Sequence, residues 1–153
     1  MKVEFVNPFI QAAREVLESE LGGETERGNI RLQKSAYTTD EVTALVGVTG
    51  AVQGMVLYSL SEETARGIVG RLMGQEFPEF DALAQSGIGE LGNVITGRAG
   101  VLLAEAGYPS NITPPALVIG KGTLVTTLDL NRLVFPLQTE CGELEVQVVL
   151  KAA

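Results

Sequence analysis

Histidine is absent from this 153-residue chain. That removes the usual general base, the Ser-His and Cys-His nucleophilic pairs, and most zinc sites. Cysteine occurs once, at Cys141, so no intramolecular disulfide can form, and a reducing compartment fits. The thiol lies in "QTECGELEV", beside an expected turn with no nearby cation to lower its pKa, and reads as inert. Cations are scarce: 11 Lys and Arg stand against 19 Asp and Glu, for a net charge of −8. Nucleic-acid binding needs clustered Lys and Arg, and so does an anionic membrane surface; the balance argues against both. No window approaches about 18 unbroken apolar residues, and the N-terminus "MKVEFVNPFIQAAREVLESE" lacks an apolar signal core. The expected location is cytoplasmic, and no resident metal or cofactor is expected.

Hydrophobic residues make up 45% of the chain, enough for a globular fold with a sizeable core, and residues 1–153 are expected to form a single domain. "NPFIQAAREVLESELGG" predicts a helix capped by Asn7, with Pro8 in its first turn and Gly22 after its last. "NIRLQKSAY" alternates as a strand. "EVTALVGVTGAVQGMVLYSL" predicts a hairpin of two apolar strands that turns near Thr49 and Gly50. "SEETARGIVGRLMG" predicts a second helix, capped by Ser61 and with Glu62 and Glu63 complementing its dipole. A long third helix is expected over about 80–106. "YPSNITPPALVIG" begins as a loop. "TLVTTLDL", "NRLVFPLQT" and "GELEVQVVL" read as strands, with Pro136 marking an edge or a bulge. In the last of them Leu144, Val146, Val148 and Leu150 share one face, and Glu143, Glu145 and Gln147 the other. This order favours α+β, an antiparallel sheet packed by long helices.

The stretch "AQSGIGELGNVITGR" holds two signatures. Gly87-x-Gly89-x-x-Gly92 has the spacing of a dinucleotide-binding turn. Such a turn follows a buried strand, whereas "EFPEFDALAQS" precedes this one, and no acidic ribose ligand follows about 20 residues on. A bare pattern of this kind is common in a chain with 18 glycines. In the helical alternative, about 100° per residue places Ala84, Ile88, Leu91, Ile95, Ala99 and Leu102 on one stripe, with Ser86, Glu90, Asn93 and Gly97 opposite. Glu90 and Asn93, three apart, are then neighbours on an exposed ridge. A solvated face with no role fits the same pattern. The glycines weigh against it, because each weakens a helix interior by up to about 1 kcal/mol relative to Ala. Bare backbone around Glu90 and Asn93 would admit another macromolecule, and Gly92 could serve close packing on the sheet.

Ser86-x-x-x-Glu90-x-x-Asn93, on a long helix followed by a proline-containing loop, resembles the signature of the CheC/CheX/FliY phosphatases: Asp or Ser, three residues, Glu, two residues, Asn, and a proline some twenty residues later. Pro114 and Pro115 lie near that place at a slightly short offset. Length, element order and the single central helix are similar to the CheX branch. The first helix has no Asn three after a Glu, so one site is expected rather than the two of CheC-type members.

The resemblance implies a CheC/CheX-like α+β fold and a protein aspartyl-phosphate phosphatase. Its substrate would be a phosphorylated CheY-like response regulator, which would supply the acyl phosphate, the Mg²⁺ and a phosphate-binding lysine. Asn93 would position the attacking water and Glu90 would pair with the partner's lysine, while Ser86 and Gly97 would lie at the contact. Relatives form dimers, so a homodimer is a further expectation. Three other readings stand beside it: a non-catalytic module docking on a receiver domain, a structural oligomer built through strand edges, and a metal-dependent hydrolase, which is disfavoured because Glu90 lacks partner ligands at suitable spacing.

Overall fold

The computed structural model describes residues 2–34, 36–127 and 130–153. The chain runs α1 (Val3–Leu21), β1 (Glu26–Arg27), β2 (Arg31–Gln33), β3 (Ala36–Thr38), β4 (Val42–Gly50), β5 (Val52–Leu60), α2 (Glu62–Met73), α3 (Ala82–Glu105), β6 (Ser110–Ile112), β7 (Ala116–Ile119), β8 (Leu124–Thr126), β9 (Arg132–Thr139) and β10 (Gly142–Ala152). The main sheet has the order β1-β9-β10-β5-β4-β6, with β2 also on β9 and β7 also on β4, and every pairing is antiparallel. This is the α+β architecture expected from the order of elements.

The expected hairpin is β4–β5, with Val42 opposite Leu60 and Val48 opposite Gly54. Alternation decides which side chains meet the helices. Val46, Val56, Val146, Val148 and Phe135 belong to the core beneath α1, α2 and α3. The opposite face is covered as well: Gln147, Val149, Leu57 and Val134 are buried there. A small second sheet, β3 with β8, lies over this face, and the Tyr37 hydroxyl shares a hydrogen bond with Ser59 of β5.

Several boundaries differ from the sequence reading. α1 begins at Val3, not after Asn7, so Asn7 is not its cap and Pro8 is internal. Phe5 and Val6 are buried in the core, and Phe5 packs edge-on against Tyr108 with centroids 5.0 Å apart. Burying these two aromatic and aliphatic side chains outweighs the single backbone bond that Pro8 cannot donate. Gly22 does end the helix, in the left-handed conformation at φ 75°. The segment read as one strand over "NIRLQKSAY" is two short strands in different sheets; Ser35 within it, and Leu128 and Asp129 of "TLVTTLDL", lie outside the described residues. β6 occupies part of the expected loop.

Pro136 is not on an edge strand, since β9 pairs β10 on one side and β1 and β2 on the other. Instead the neighbouring chain breaks beside it. The register passes from Arg27 opposite Leu137 to Arg31 opposite Val134, one residue out of step. Gly28 fills the gap and donates its N–H to the Pro136 carbonyl at 2.9 Å. The missing N–H therefore falls at a bulge in the partner strand.

Ser61 caps α2 by accepting from the Thr64 N–H at 3.1 Å, and Asp81 caps α3 by accepting from Ala84 at 2.9 Å. Where α2 and α3 cross, a Cβ on Gly87 would stand 2.7 Å from Met73 Cε and 2.8 Å from Val69 Cγ1, whereas one on Gly100 would meet nothing within 4 Å. The two glycines should respond oppositely to alanine. Gly100→Ala is expected to stabilise by about 0.5–1 kcal/mol through helix propensity, and Gly87→Ala to destabilise by about 1–2 kcal/mol through overpacking; urea unfolding of each variant measures both.

Candidate functional site

α3 is the helix expected over 80–106, with bounds Ala82–Glu105. Its inward stripe is as the periodicity predicts through Ala84, Ile88, Leu91, Ile95 and Ala99, and ends on Leu103 rather than Leu102. The glycines are not a loop, and no strand precedes them, so the dinucleotide-turn reading is excluded by the backbone. Gly92 faces the sheet: a Cβ there would lie 3.4 Å from the Tyr58 ring and 3.5 Å from Ala44 Cβ.

Below Gly92 and Asn93 the helix is tied down by buried polar contacts. Thr96 Oγ1 donates to the Gly92 carbonyl at 2.7 Å. With that proton used, the same oxygen accepts from the Tyr58 hydroxyl at 2.8 Å. Burial raises the Tyr58 pKa well above the ordinary phenol value, against the smaller opposing effect of the Thr96 hydrogen bond, so the phenol stays protonated as the donor. Sequence reasoning missed this anchor. Its one signal is Thr96, a hydroxyl on the sheet-facing side of an otherwise apolar helix.

On the outward side Ser86 and Glu90 are exposed, and Asn93 and Gly97 are half-buried. Side chains three apart on a helix place their Cβ atoms about 5–6 Å apart, so the Glu90 carboxylate and the Asn93 amide can engage one target. Among the described residues, neither side chain has a hydrogen-bond or ion-pair partner. Arg98, the one cation on α3, is already paired with Glu15 of α1 at 2.9 Å; hydrogen bonds from Gln11 and then Arg98 hold the Glu15 pKa below its usual value. Ser86 and Glu90 form one wall of a shallow groove of about 560 Å³, and Pro115 and Leu117 form the other. Pro115 approaches Gly89, whose Cβ would be 3.7 Å from the proline ring. The proline after the helix thus stands beside the ridge, and it is Pro115 rather than Pro114 that lines the groove.

Among the described residues no three metal-ligating side chains cluster, and no helix is long and apolar enough to cross a membrane. Cys141 is half-buried, and burial pushes its thiol pKa up, which is the opposite of an activated nucleophile.

The fold and the site define a class: three helices packed on one face of an antiparallel sheet, the longest presenting a carboxylate and an amide from its exposed side. The model of the family described as chemotaxis phosphatase CheX matches residues 42–138. The chain is 34% identical over 122 residues to the CheY-P phosphatase CheX of Thermotoga maritima, covering 79% of each. A CheC-like superfamily protein from Shewanella sp. PV-4 superposes with a TM-score of 0.88, over 99% of this chain and 100% of that one at 24% identity. The CheX of a CheX–CheY–BeF3–Mg²⁺ complex from Borrelia burgdorferi gives a TM-score of 0.82 at 26% identity, over 98% of this chain and 99% of that one. The chain belongs to the CheX family of chemotaxis phosphatases.

If Glu90 and Asn93 carry no structural duty, removing them should not harm the fold. Glu90→Ala is expected to stay within about 0.5 kcal/mol of the parent, and Asn93→Ala to gain up to about 0.7 kcal/mol from helix propensity. Urea midpoints read both effects; a loss above about 1 kcal/mol at Asn93 would mean that the amide is structural.

Proposed function

We propose that this protein hydrolyses the phospho-aspartate of a CheY-like response regulator, as one domain over residues 1–153, with Asn93 positioning the attacking water. The supporting observation is the placement of an amide and a carboxylate, both without partners among the described residues, on the outward face of a helix anchored from beneath. The water oxygen attacks phosphorus in line as the bond to the aspartate oxygen breaks. Aspartate and inorganic phosphate leave, and the water's protons pass to the phosphate and solvent. A loose transition state asks little of the nucleophile, so a strong base is unnecessary, and the chain has no histidine to offer one.

The Asn93 amide orients water by donating and accepting at once. Glu90 pairs with a cation of the partner, the phosphate-binding lysine of a receiver, and sets the register of docking. Ser86 and Gly97 lie at the edge of that contact. Mg²⁺ belongs to the receiver: Glu90 stands without a second carboxylate beside it, which is too few ligands for a resident Mg²⁺. The names of two relatives, a CheY-P phosphatase and a CheX–CheY–BeF3–Mg²⁺ complex, support the same substrate.

Three variants test the assignment, with partner affinity and acyl-phosphate half-life measured for each. Asn93→Ala is expected to bind the phosphorylated receiver and to lose about 100-fold or more of the acceleration. Glu90→Ala should raise Kd by at least about tenfold as well as slowing turnover. The double variant should lose less than the two losses combined, because both groups serve one transition state. A folded Asn93→Ala with full activity would replace the catalytic reading with that of a docking module.

A further inference from the structure

α3 carries more on its outward face than the two polar groups. Leu83 is 50% exposed, Val94 42% and Val101 49%. Relative to Leu83, Glu90 lies seven positions on, Val94 eleven and Val101 eighteen. At about 100° per residue all four fall within about 20° of one line along the helix. Single exposed apolar side chains are ordinary. Three on the line that also holds an unpartnered carboxylate form a strip, and their separation from Leu83 to Val101 spans about 27 Å at 1.5 Å per residue. A standard interface buries about 800 Å² per partner, a patch about 30 Å across.

We propose that Leu83, Val94 and Val101 are the apolar anchors by which the protein grips the receiver domain, and that this strip together supplies most of the affinity, to which Glu90 adds while setting register. The proposal rests on the phosphatase reading above. Charge selects the occupant. A second copy of the chain laid along this line would bring one Glu90 towards another, between two molecules of net charge −8, and would bury two carboxylates without a counter-ion. Arg98, the one cation on α3, is occupied by Glu15. A receiver offering a lysine at its phosphate site satisfies Glu90 and covers the apolar side chains on either side of it. The strip runs through the proposed catalytic ridge, so a partner engaged at Glu90 and Asn93 meets Val94 in the same contact, and Leu83 and Val101 about two turns to either side of Glu90 and Val94.

The test uses the full chain and a CheY-type receiver from the same genome, held in its active form by beryllium fluoride and Mg²⁺ for binding and phosphorylated for turnover. Leu83→Gln, Val94→Gln and Val101→Gln keep helix propensity and remove the apolar contact. Each is expected to raise Kd by about 5-fold, and the triple variant by about 100-fold, from about 1 kcal/mol of lost apolar burial per side chain. The loss should show in KM rather than in kcat. Leu124→Gln is the control, because Leu124 is exposed but lies in β8, outside the strip. Strip variants that bind as tightly as the parent, with the parent still an active phosphatase, overturn the strip and leave the function standing. A parent that neither binds nor accelerates any receiver overturns both. Variants that convert a sedimenting dimer to monomer without changing receiver affinity assign the strip to a second copy, and overturn it equally.

Discussion

A buried relay of hydroxyls under one turn of helix is the constraint on which the site depends. Tyr58 of β5 donates to Thr96, and Thr96 donates to the Gly92 carbonyl. The chain of bonds fixes both the height and the rotation of α3 on the sheet. Rotation matters most, because at about 100° per residue a slip of one position would turn Glu90 and Asn93 off the outward face. Apolar packing alone is nondirectional and would tolerate some rolling of a helix whose sheet side is Ile88, Leu91 and Ile95. The hydrogen-bonded pair is directional, and it sits one turn from Asn93. Gly87 adds a second restraint further up, where Val69 and Met73 of α2 leave no room for a methyl group.

The sheet that carries the anchor is itself held from both faces. The helices cover one. On the other, Arg132 of β9 is fully buried, with its guanidinium 5.0 Å from the centre of the Tyr37 ring and one nitrogen donating to the Lys34 carbonyl at 3.0 Å. Burial lowers its pKa from the usual arginine value, with Tyr37 and then Glu145 opposing. Stacking on an aromatic face partly offsets the loss of hydration, but a cation in this position remains an expensive element. It joins the small β3–β8 layer to the main sheet, and Tyr37 extends that connection to Ser59 on β5, the residue next to Tyr58. The second layer therefore reaches the same strand that anchors α3.

Much of this was legible because the elements that matter are long and periodic. α3 announces itself through five apolar residues at helical spacing, and the same arithmetic puts Glu90 and Asn93 outside. The β4–β5 hairpin and the Ser61 cap are local signals of the same strength. Legibility failed where distant contacts decide. Asn7 followed by Pro8 has the local chemistry of a helix start, yet Phe5 and Val6 find a core and Tyr108 finds Phe5, so the helix extends past the cap. Pro136 reads as an edge or a bulge, and only the neighbouring strand, from the other half of the chain, decides for the bulge. Gln147 alternates with core residues and reads as outward, yet it is buried; β3 and β8 fall in segments that read as strands, but nothing local shows that they pair with each other as a second layer. In the site, the polar pair could be read from spacing, whereas Pro115 as the opposite wall and Tyr58 as the anchor depend on which strands lie under the helix.

On the proposed reading, the shape of the site follows from the substrate. An enzyme that acts on a small molecule must enclose it to exclude water and to hold reactive groups. Here the phosphoryl group, its metal and its cation would sit on another folded protein that already encloses them. What remains to be supplied is a water in line and a fixed approach, and effective concentration is the larger part of that. A convex helix can enter a partner's cleft where a pocket cannot. It can also present an amide and a carboxylate without desolvating them beforehand, since both stay in water until docking. That explains why two polar groups stand without partners among the described residues on a helix otherwise committed to packing: any intramolecular bond to Glu90 or Asn93 would have to be broken each time the partner arrived, and the energy to break it would come out of binding.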